Sequence, residues 1–164
     1  MILDVGCGKH KRGDIGVDCS RDSCADVIAD AHCLPFKGNV FDKILSFTVL
    51  EHSPNPLKFL NEQFRVLKQN GTILCMTDNA QYYGWSVLNY GGTRHADFHK
   101  DHYLIFFPEN VKRLMKLAGF TSLKFKFVKR KRRKYDFLVM VLIKLRIFRK
   151  ECLYHRFMIT GKKY

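Results

Sequence analysis

The chain opens with the sequence MILDVGCGKH, in which a short apolar run leads directly into two glycines. The run Ile2 to Val5 predicts a β-strand, and Gly6 and Gly8 follow where that strand would end. Closely spaced glycines after a strand let another group approach the backbone, because neither residue carries a Cβ atom. This feature predicts a fold with a ligand site at the carboxyl end of its first strand.

Strand and helix patterns alternate after this opening. One helix is predicted to begin after Pro56, with Leu57, Leu60, Phe64 and Leu67 at helical spacing, and to stop at Asn70-Gly71. A second helix is predicted at 109–118, closed by Gly119. The predicted strands are 2–5, 14–18, 26–30, 41–47, 72–77, 122–128 and a final one near 154–160. Alternating strands and helices predict an α/β fold with a mainly parallel sheet.

Length and composition predict one domain over residues 1–164. The chain has 164 residues, of which 46% are hydrophobic, enough for a substantial core. Its six cysteines form no CxxC pair, so they indicate reduced thiols and neither a zinc site nor a disulfide framework. No charged segment precedes the first apolar run, and no apolar run is long enough to span a membrane. A cytoplasmic protein is therefore expected.

Positive charge is concentrated at one end of the chain. Residues 1–120 carry 14 basic and 13 acidic side chains, whereas residues 121–164 carry 15 basic and 2 acidic ones. This segregation predicts a nearly neutral body with a basic surface that meets an anionic partner.

Asp18, which ends the second predicted strand, indicates what kind of ligand the glycines admit. In a parallel sheet the glycines and Asp18 all lie at the carboxyl edge, where a carboxylate can accept hydrogen bonds from the hydroxyl groups of a ribose. A dinucleotide site is disfavoured, because Lys9, His10 and Lys11 follow where the third glycine of that motif is needed.

Five stretches in order, LDVGCG, GVD, ADAHCLPF, FDKILSFTVLEH and FRVLKQNGTIL, resemble the class I S-adenosylmethionine-dependent methyltransferases, and within them the type 11 group. The resemblance runs from residue 2 to about residue 120. It implies a three-layer Rossmann-like sandwich with a mostly parallel seven-stranded sheet, an antiparallel last strand, and S-adenosylmethionine as cofactor.

The resemblance also implies positions for the cofactor. Asp18 would hold its ribose, and Asp30 with the Ala31 amide would read the adenine edge. The residues expected around the methionine part and over the cofactor are Asp4, Gly6, Cys7, Gly8, Phe47 and Thr48, with Cys7 as packing and not as a nucleophile. One departure is the loop KHKRGD before the second strand, which is too short for the usual full helix.

The catalytic candidates are histidines in the predicted substrate loops. They are His52, His95 and His99. Glu51 and His52 could instead cap a helix or pack against the cofactor loop. His95, His99 and His102 could lie in a solvated loop, contact substrate or bind a metal, but no carboxylate pair or cysteine completes a ligand set, so no metal is expected.

The segment at about 129–152 is an insertion in the family plan, with six consecutive basic residues before an apolar run at 137–143. As a helix it would lie on an anionic membrane surface through 129–150. As a strand, favoured by Val139, Val141 and Ile143, it would be buried beside a solvated basic loop. A third interpretation has the basic run follow the phosphates of nucleic acid. Of these three interpretations, the helix on an anionic membrane surface is favoured.

Taken together, these features predict methyl transfer to a small or lipid-linked acceptor, including a carbohydrate-containing one, by a cytoplasmic protein peripheral to the membrane. Methylation of base amino groups is disfavoured, because SFTVLEH stands where such enzymes resemble one another in an Asn/Asp-Pro-Pro-aromatic motif. An RNA methyltransferase and a non-catalytic cofactor-binding relative remain the alternatives.

Overall fold

A computed structural model describes residues 1–82, 102–128 and 136–164. Within these residues, seven strands form one sheet. The strands are β1 (Ile2–Val5), β2 (Ile15–Asp18), β3 (Val27–Ile28), β4 (Phe41–Phe47), β5 (Leu67–Asp78), β6 (Thr121–Val128) and β7 (Arg156–Lys162). Their spatial order is β3-β2-β1-β4-β5-β7-β6.

The sheet is parallel from β3 to β5, and β7 runs antiparallel between β5 and β6. The predicted seven-stranded, mostly parallel sheet with an antiparallel last strand is therefore confirmed. The strand order reverses direction at β1, which has β2 on one side and β4 on the other. Ligands of open α/β sheets bind at such a reversal, outside the carboxyl ends of the strands.

Three α-helices accompany the sheet in the described residues: α1 (Pro56–Val66), α2 (Pro108–Leu117) and α3 (Asp136–Lys144). Helix α1 begins where predicted, because the Asn55 side chain accepts a hydrogen bond from the Lys58 amide at 3.0 Å and Pro56 stands at the first helical position. Helices α1 and α2 contact each other and contribute Phe59, Leu60, Val66, Val111 and Met115 to the main core.

The predicted end of α1 was wrong. The helix ends at Val66, and Leu67 is the first residue of β5, paired with Phe41. Leu67 is fully buried. A buried apolar residue at this position fits the helical spacing of α1, although Leu67 belongs to a strand. The turn signal at Asn70, which has φ +62°, lies inside β5, where the register to β4 shifts.

The connection from β1 to β2 contains no helix, as the short KHKRGD loop predicted. Its glycine end is tied to the sheet because the amides of Gly6 and Cys7 both donate to the Val17 carbonyl, at 2.7 and 3.2 Å. The connection that leaves β1 is thus a loop held to β2 by backbone hydrogen bonds.

The apolar run at 137–143 lies in helix α3, so the buried-strand alternative was wrong. Strand β7 already has β5 and β6 on its two edges, and Val139 is the only buried residue of the helix. Phe137 and Leu138 are 78% and 56% exposed. The six basic residues at 129–134 lie outside the described residues. None of the described helices has both the length and the apolar composition needed to cross a bilayer.

Candidate active site

A cavity of about 270 Å³ lies at the carboxyl ends of β1, β2 and β4, where the strand order reverses. Gly6, Asp18 and Thr48 form part of its wall. The position agrees with the ligand site that the opening sequence predicted.

Asp18 is held in the cavity wall by two backbone amides. Its Oδ2 accepts from Gly8 N at 2.8 Å, and its Oδ1 accepts from Ser20 N at 2.9 Å. A carboxylate has about four lone-pair sites, so two remain for further donors. The carboxylate is thus pre-oriented and can still accept hydrogen bonds from two hydroxyl groups.

The two glycines have different roles. A Cβ on Gly6 (φ +69°) would lie 2.2 Å from Val49 Cγ2, so Gly6 makes room for the Val49 side chain. A Cβ on Gly8 (φ +55°) would meet nothing within 4 Å. The space beside Gly8 is therefore open, as a ligand that approaches the backbone requires.

Asp30 belongs to a hydrogen-bonded chain along the cavity wall. Its Oδ1 accepts from His32 N at 2.8 Å and lies 2.6 Å from His32 Nδ1, and Nε2 of the same ring lies 2.7 Å from Ser53 Oγ. The amide and ring of His32 hold the pKa of Asp30 below its usual range. The wall therefore carries an ionised carboxylate with one oxygen already engaged.

Apolar residues form the rest of the wall. Ala29 and Ala31 flank Asp30, and Phe59 comes from α1. Small and aromatic side chains beside a carboxylate suit a flat heteroaromatic ring with donor groups at its edge.

Asp4 lies beneath the glycine loop and outside the cavity wall. It is fully buried, and its Oδ2 accepts from Arg12 N at 2.7 Å. Its Oδ1 has no hydrogen-bond partner in the described part of the chain, and burial raises the pKa of this carboxyl. Asp4 therefore fixes the loop that follows the glycines.

Cys7 packs beneath the same loop. It is buried, and desolvation raises the pKa of its thiol to about 11. Since the thiolate is the reactive form, this thiol is inert at neutral pH.

Phe47 is the last residue of β4, and Thr48 follows it. The Arg12 guanidinium lies 5.1 Å from the centroid of the Phe47 ring, so that ring is covered by the β1–β2 loop. Thr48 has φ +56°, a conformation that costs a β-branched residue free energy. Its amide donates to the Met76 carbonyl at 2.8 Å, which helps to hold this geometry at the cavity.

Glu51 and His52 lie in a single 3-10 turn, Leu50–His52, after β4. His52 lines the cavity, and its ring meets His102 edge to face with centroids 4.6 Å apart. Glu51 is 1% exposed and accepts from Thr77 Oγ1 at 2.7 Å. Burial raises the pKa of the Glu51 carboxyl.

The cavity wall brings together six of the predicted site residues: Gly6, Asp18, Asp30, Ala31, Thr48 and His52. Asp4, Cys7, Gly8 and Phe47 lie beside it, and His95 and His99 lie outside the described residues. The functional roles of all these residues stay predictions. Sequence reasoning missed Val49, His32 and Ser53. The local signals in the sequence were the glycine at position 6, which makes room for Val49, and the spacing of His32 from Asp30.

Sequence comparisons match part of this chain to a methyltransferase domain. Residues 14–75 match the family model of a methyltransferase domain. MJ1123 of Methanocaldococcus jannaschii, an uncharacterized protein, is 31% identical over 136 residues, which is 76% of this chain and 65% of that protein. MJ0638 of the same organism, also uncharacterized, is 44% identical over 97 residues, which is 48% of this chain and 41% of that protein. The chain thus spans less than two thirds of the length of these relatives.

Solved structures of methyltransferases share the fold. A SAM-dependent methyltransferase from Archaeoglobus fulgidus superposes with a TM-score of 0.71 at 18% identity, covering 99% of this chain and 85% of that one. Phosphoethanolamine N-methyltransferase 2 of Haemonchus contortus, solved with S-adenosyl-L-methionine, gives 0.66 at 16% identity, with 99% and 48% covered.

The sheet order, the position of the cavity and the family match agree with one another. S-adenosylmethionine is the cofactor of the matched family, and the pre-oriented Asp18, the open space at Gly8 and the apolar wall near Asp30 fit its adenosyl group. Residues 14–75 thus match a methyltransferase domain of the type 11 group, and the fold is the one that solved S-adenosylmethionine-dependent methyltransferases share.

Proposed function

We propose that the protein transfers a methyl group from S-adenosylmethionine to a small or lipid-linked acceptor at an anionic membrane surface. The observation that carries the methyl-transfer part is the Asp18 carboxylate, held by the Gly8 amide at 2.8 Å at the point where the sheet order reverses. This is where an α/β sheet binds a nucleoside, and the two remaining acceptor sites match two ribose hydroxyls.

The bound cofactor would supply an already activated methyl group on its sulfonium. The work left to this chain is to orient the acceptor and to exclude water. Thr48, Val49 and His52 form the cavity wall after β4, so they border the space next to the cofactor site. In this proposal they position the acceptor.

The membrane part of the proposal rests on the surface of α3 and the turn after it. Phe137, Leu138 and Met140 of α3, together with Leu145 and Ile147, are exposed apolar side chains. The basic residues interleaved with them or next to them are Lys144, Arg146, Arg149 and Lys150, and all four are exposed. Apolar side chains flanked by basic ones suit an interface with anionic headgroups.

An RNA acceptor is the second candidate. The 15 basic and 2 acidic side chains of residues 121–164 would also attract phosphates. The exposed apolar residues of α3 favour the membrane proposal, because the aliphatic side chains Leu138 and Met140 neither pair with phosphates nor stack with bases.

The test uses methyl-tritiated S-adenosylmethionine with separate membrane and aqueous fractions of the source cells. Label in the organic extract of the membrane fraction, lost with Asp18→Asn, is the expected result. Ribonuclease-sensitive label in the aqueous fraction would favour the RNA acceptor instead. Absence of protein-dependent label in both fractions would contradict catalysis and favour a cofactor-binding module.

A further inference from the structure

Three side chains with metal-binding atoms meet beside the cavity. One ligand atom from each of Glu51, His52 and His102 lies within 4.8 Å of the other two. His52 also belongs to the cavity wall, so the cluster borders the space next to the cofactor site. Small side-chain rotations would bring these atoms to the shorter separations that a shared ion needs.

Backbone hydrogen bonds hold the two parts of this cluster together. The Glu51 carbonyl accepts from Tyr103 N at 2.9 Å and from Leu104 N at 3.2 Å. These bonds fix the segment that follows His102 against the turn that carries Glu51 and His52. The edge-to-face contact of the two imidazole rings, 4.6 Å between centroids, results from that attachment.

The Glu51 carboxylate gives a second, independent indication of a ligand. Its Oε2 accepts from Thr77 Oγ1, but its Oε1 is buried and has no hydrogen-bond partner within residues 1–82, 102–128 and 136–164. Glu51 as a whole is 1% exposed. A buried carboxylate oxygen without a partner costs free energy, and a bound cation would remove that cost.

We propose that Glu51, His52 and His102 bind a divalent first-row transition-metal ion, Zn²⁺ by preference, beside the cofactor cavity. Two imidazoles and one carboxylate form the ligand set of catalytic zinc sites, which keep a further position open. Imidazole ligands favour Zn²⁺ and its neighbours over Mg²⁺ and Ca²⁺, which prefer oxygen.

The role of the ion rests on the proposed function. Its open position would take an oxygen of the acceptor, which points to an alcohol or phenol as the methylated group. Coordination lowers the pKa of a hydroxyl, so its proton leaves to solvent. The oxygen lone pair then forms the new O–C bond while the C–S bond of the cofactor breaks and its electron pair stays on sulfur.

The test is calorimetric titration of the full chain with Zn²⁺ alone. The expected result is one site that Glu51→Gln and His102→Ala each weaken by roughly 100-fold. Glu51→Gln keeps the hydrogen bond from Thr77, and His102→Ala changes a different segment, so a folding defect common to both is not expected. His10→Ala, an exposed histidine outside the cluster, and Cys24→Ser, an exposed thiol, serve as matched controls.

Absence of a Zn²⁺ site in the wild type, or one that survives both cluster variants, would overturn the proposal, as would a site lost only with Cys24→Ser. Binding of S-adenosylhomocysteine is measured on the same proteins. Cofactor binding without Zn²⁺ binding would overturn the metal site alone. Zn²⁺ binding without cofactor binding would contradict the proposed function and leave the metal site standing.

Discussion

His32 and Ser53 are joined across the wall of the cavity, with Nε2 of the imidazole 2.7 Å from the serine hydroxyl oxygen. Nδ1 of the same ring lies 2.6 Å from Oδ1 of Asp30. The contacts connect the segment after β3 to the segment after β4, and they fix the orientation of Asp30. The predicted adenine contact therefore depends on His32, which lies in the stretch ADAHCLPF but has no predicted role there.

Replacement of His32 should weaken cofactor binding. We expect His32→Ala to raise the Kd for S-adenosylhomocysteine by about tenfold, because Asp30 loses its side-chain hydrogen bond and the two segments separate. Ser53→Ala removes only one of the two ring contacts and should have a smaller effect. Calorimetry on both variants checks the order, and an unchanged Kd for His32→Ala in a folded protein would refute the argument.

The two glycines of the loop should respond differently to alanine. Gly6→Ala should lower the free energy of unfolding by about 2–4 kcal/mol, since it adds a clash with Val49 to the cost of a positive φ. Gly8→Ala should cost only about 1 kcal/mol but should weaken cofactor binding, because its Cβ would enter open space. Urea unfolding and calorimetry separate the two effects.

The double variant Gly6→Ala/Val49→Ala is the control for the clash. It should recover part of the lost stability, leaving the cost of the backbone conformation. Equal destabilisation by Gly6→Ala and Gly8→Ala, or no recovery in the double variant, would show that the contact with Val49 is unimportant.

Glu62 should make the free energy of unfolding depend on pH in the acid range. Its carboxylate accepts from Arg65 Nε at 2.8 Å and from Leu34 N at 2.9 Å, and the Arg65 hydrogen bond holds the pKa of Glu62 below its usual 4.5. A depressed pKa in the folded state stabilises the protein above the unfolded pKa, and this stabilisation is lost as pH falls below about 4.5.

We therefore expect Glu62→Gln to lower the free energy of unfolding by about 1 kcal/mol at pH 7 and by progressively less below pH 4.5. Urea unfolding at several pH values measures the difference. Glu109→Gln is the matched control, because its carboxylate is exposed and lies 3.8 Å from Lys112 Nζ. A difference between wild type and Glu62→Gln that stays constant down to acid pH would contradict the linkage.

The exposed face of α3 should bind anionic vesicles. The double change Phe137→Ser/Leu138→Ser should reduce sedimentation with such vesicles several-fold, because each exposed apolar side chain contributes free energy on burial. Leu117→Ser removes a similarly exposed apolar residue from the end of α2 and should have no effect. Equal sedimentation of the double variant and the wild type would remove the membrane surface from the proposal.

The strands were predictable because each has a short apolar pattern between turn signals, and β1, β2 and β4 lie within one residue of their predicted bounds. The end of α1 was not predictable, since a buried leucine at position 67 fits a helix and a strand equally well. The helical state of α3 was part of the favoured interpretation, although its β-branched residues favour strands.

The candidate site was predictable where its residues follow strand ends, as with Asp18 and Thr48. The Glu51–His52–His102 cluster was not, because His102 is brought to the turn by backbone hydrogen bonds to Glu51 that no local pattern indicates. Contacts between segments that are distant in the sequence depend on the folded chain.

Calorimetric titration with S-adenosylhomocysteine tests most directly whether Asp18 holds the cofactor. Asp14 precedes β2 and Asp18 is its last residue; Asp14 accepts a hydrogen bond from Ile2 N at 2.7 Å, at the end of the strand away from the cavity. The wild type and Asp14→Asn should bind alike, and Asp18→Asn should bind roughly 10- to 100-fold more weakly, since a carboxylate that accepts hydroxyl hydrogen bonds is lost. Unchanged affinity for Asp18→Asn, or an equal loss for Asp14→Asn, would contradict the assignment of this cavity to the cofactor.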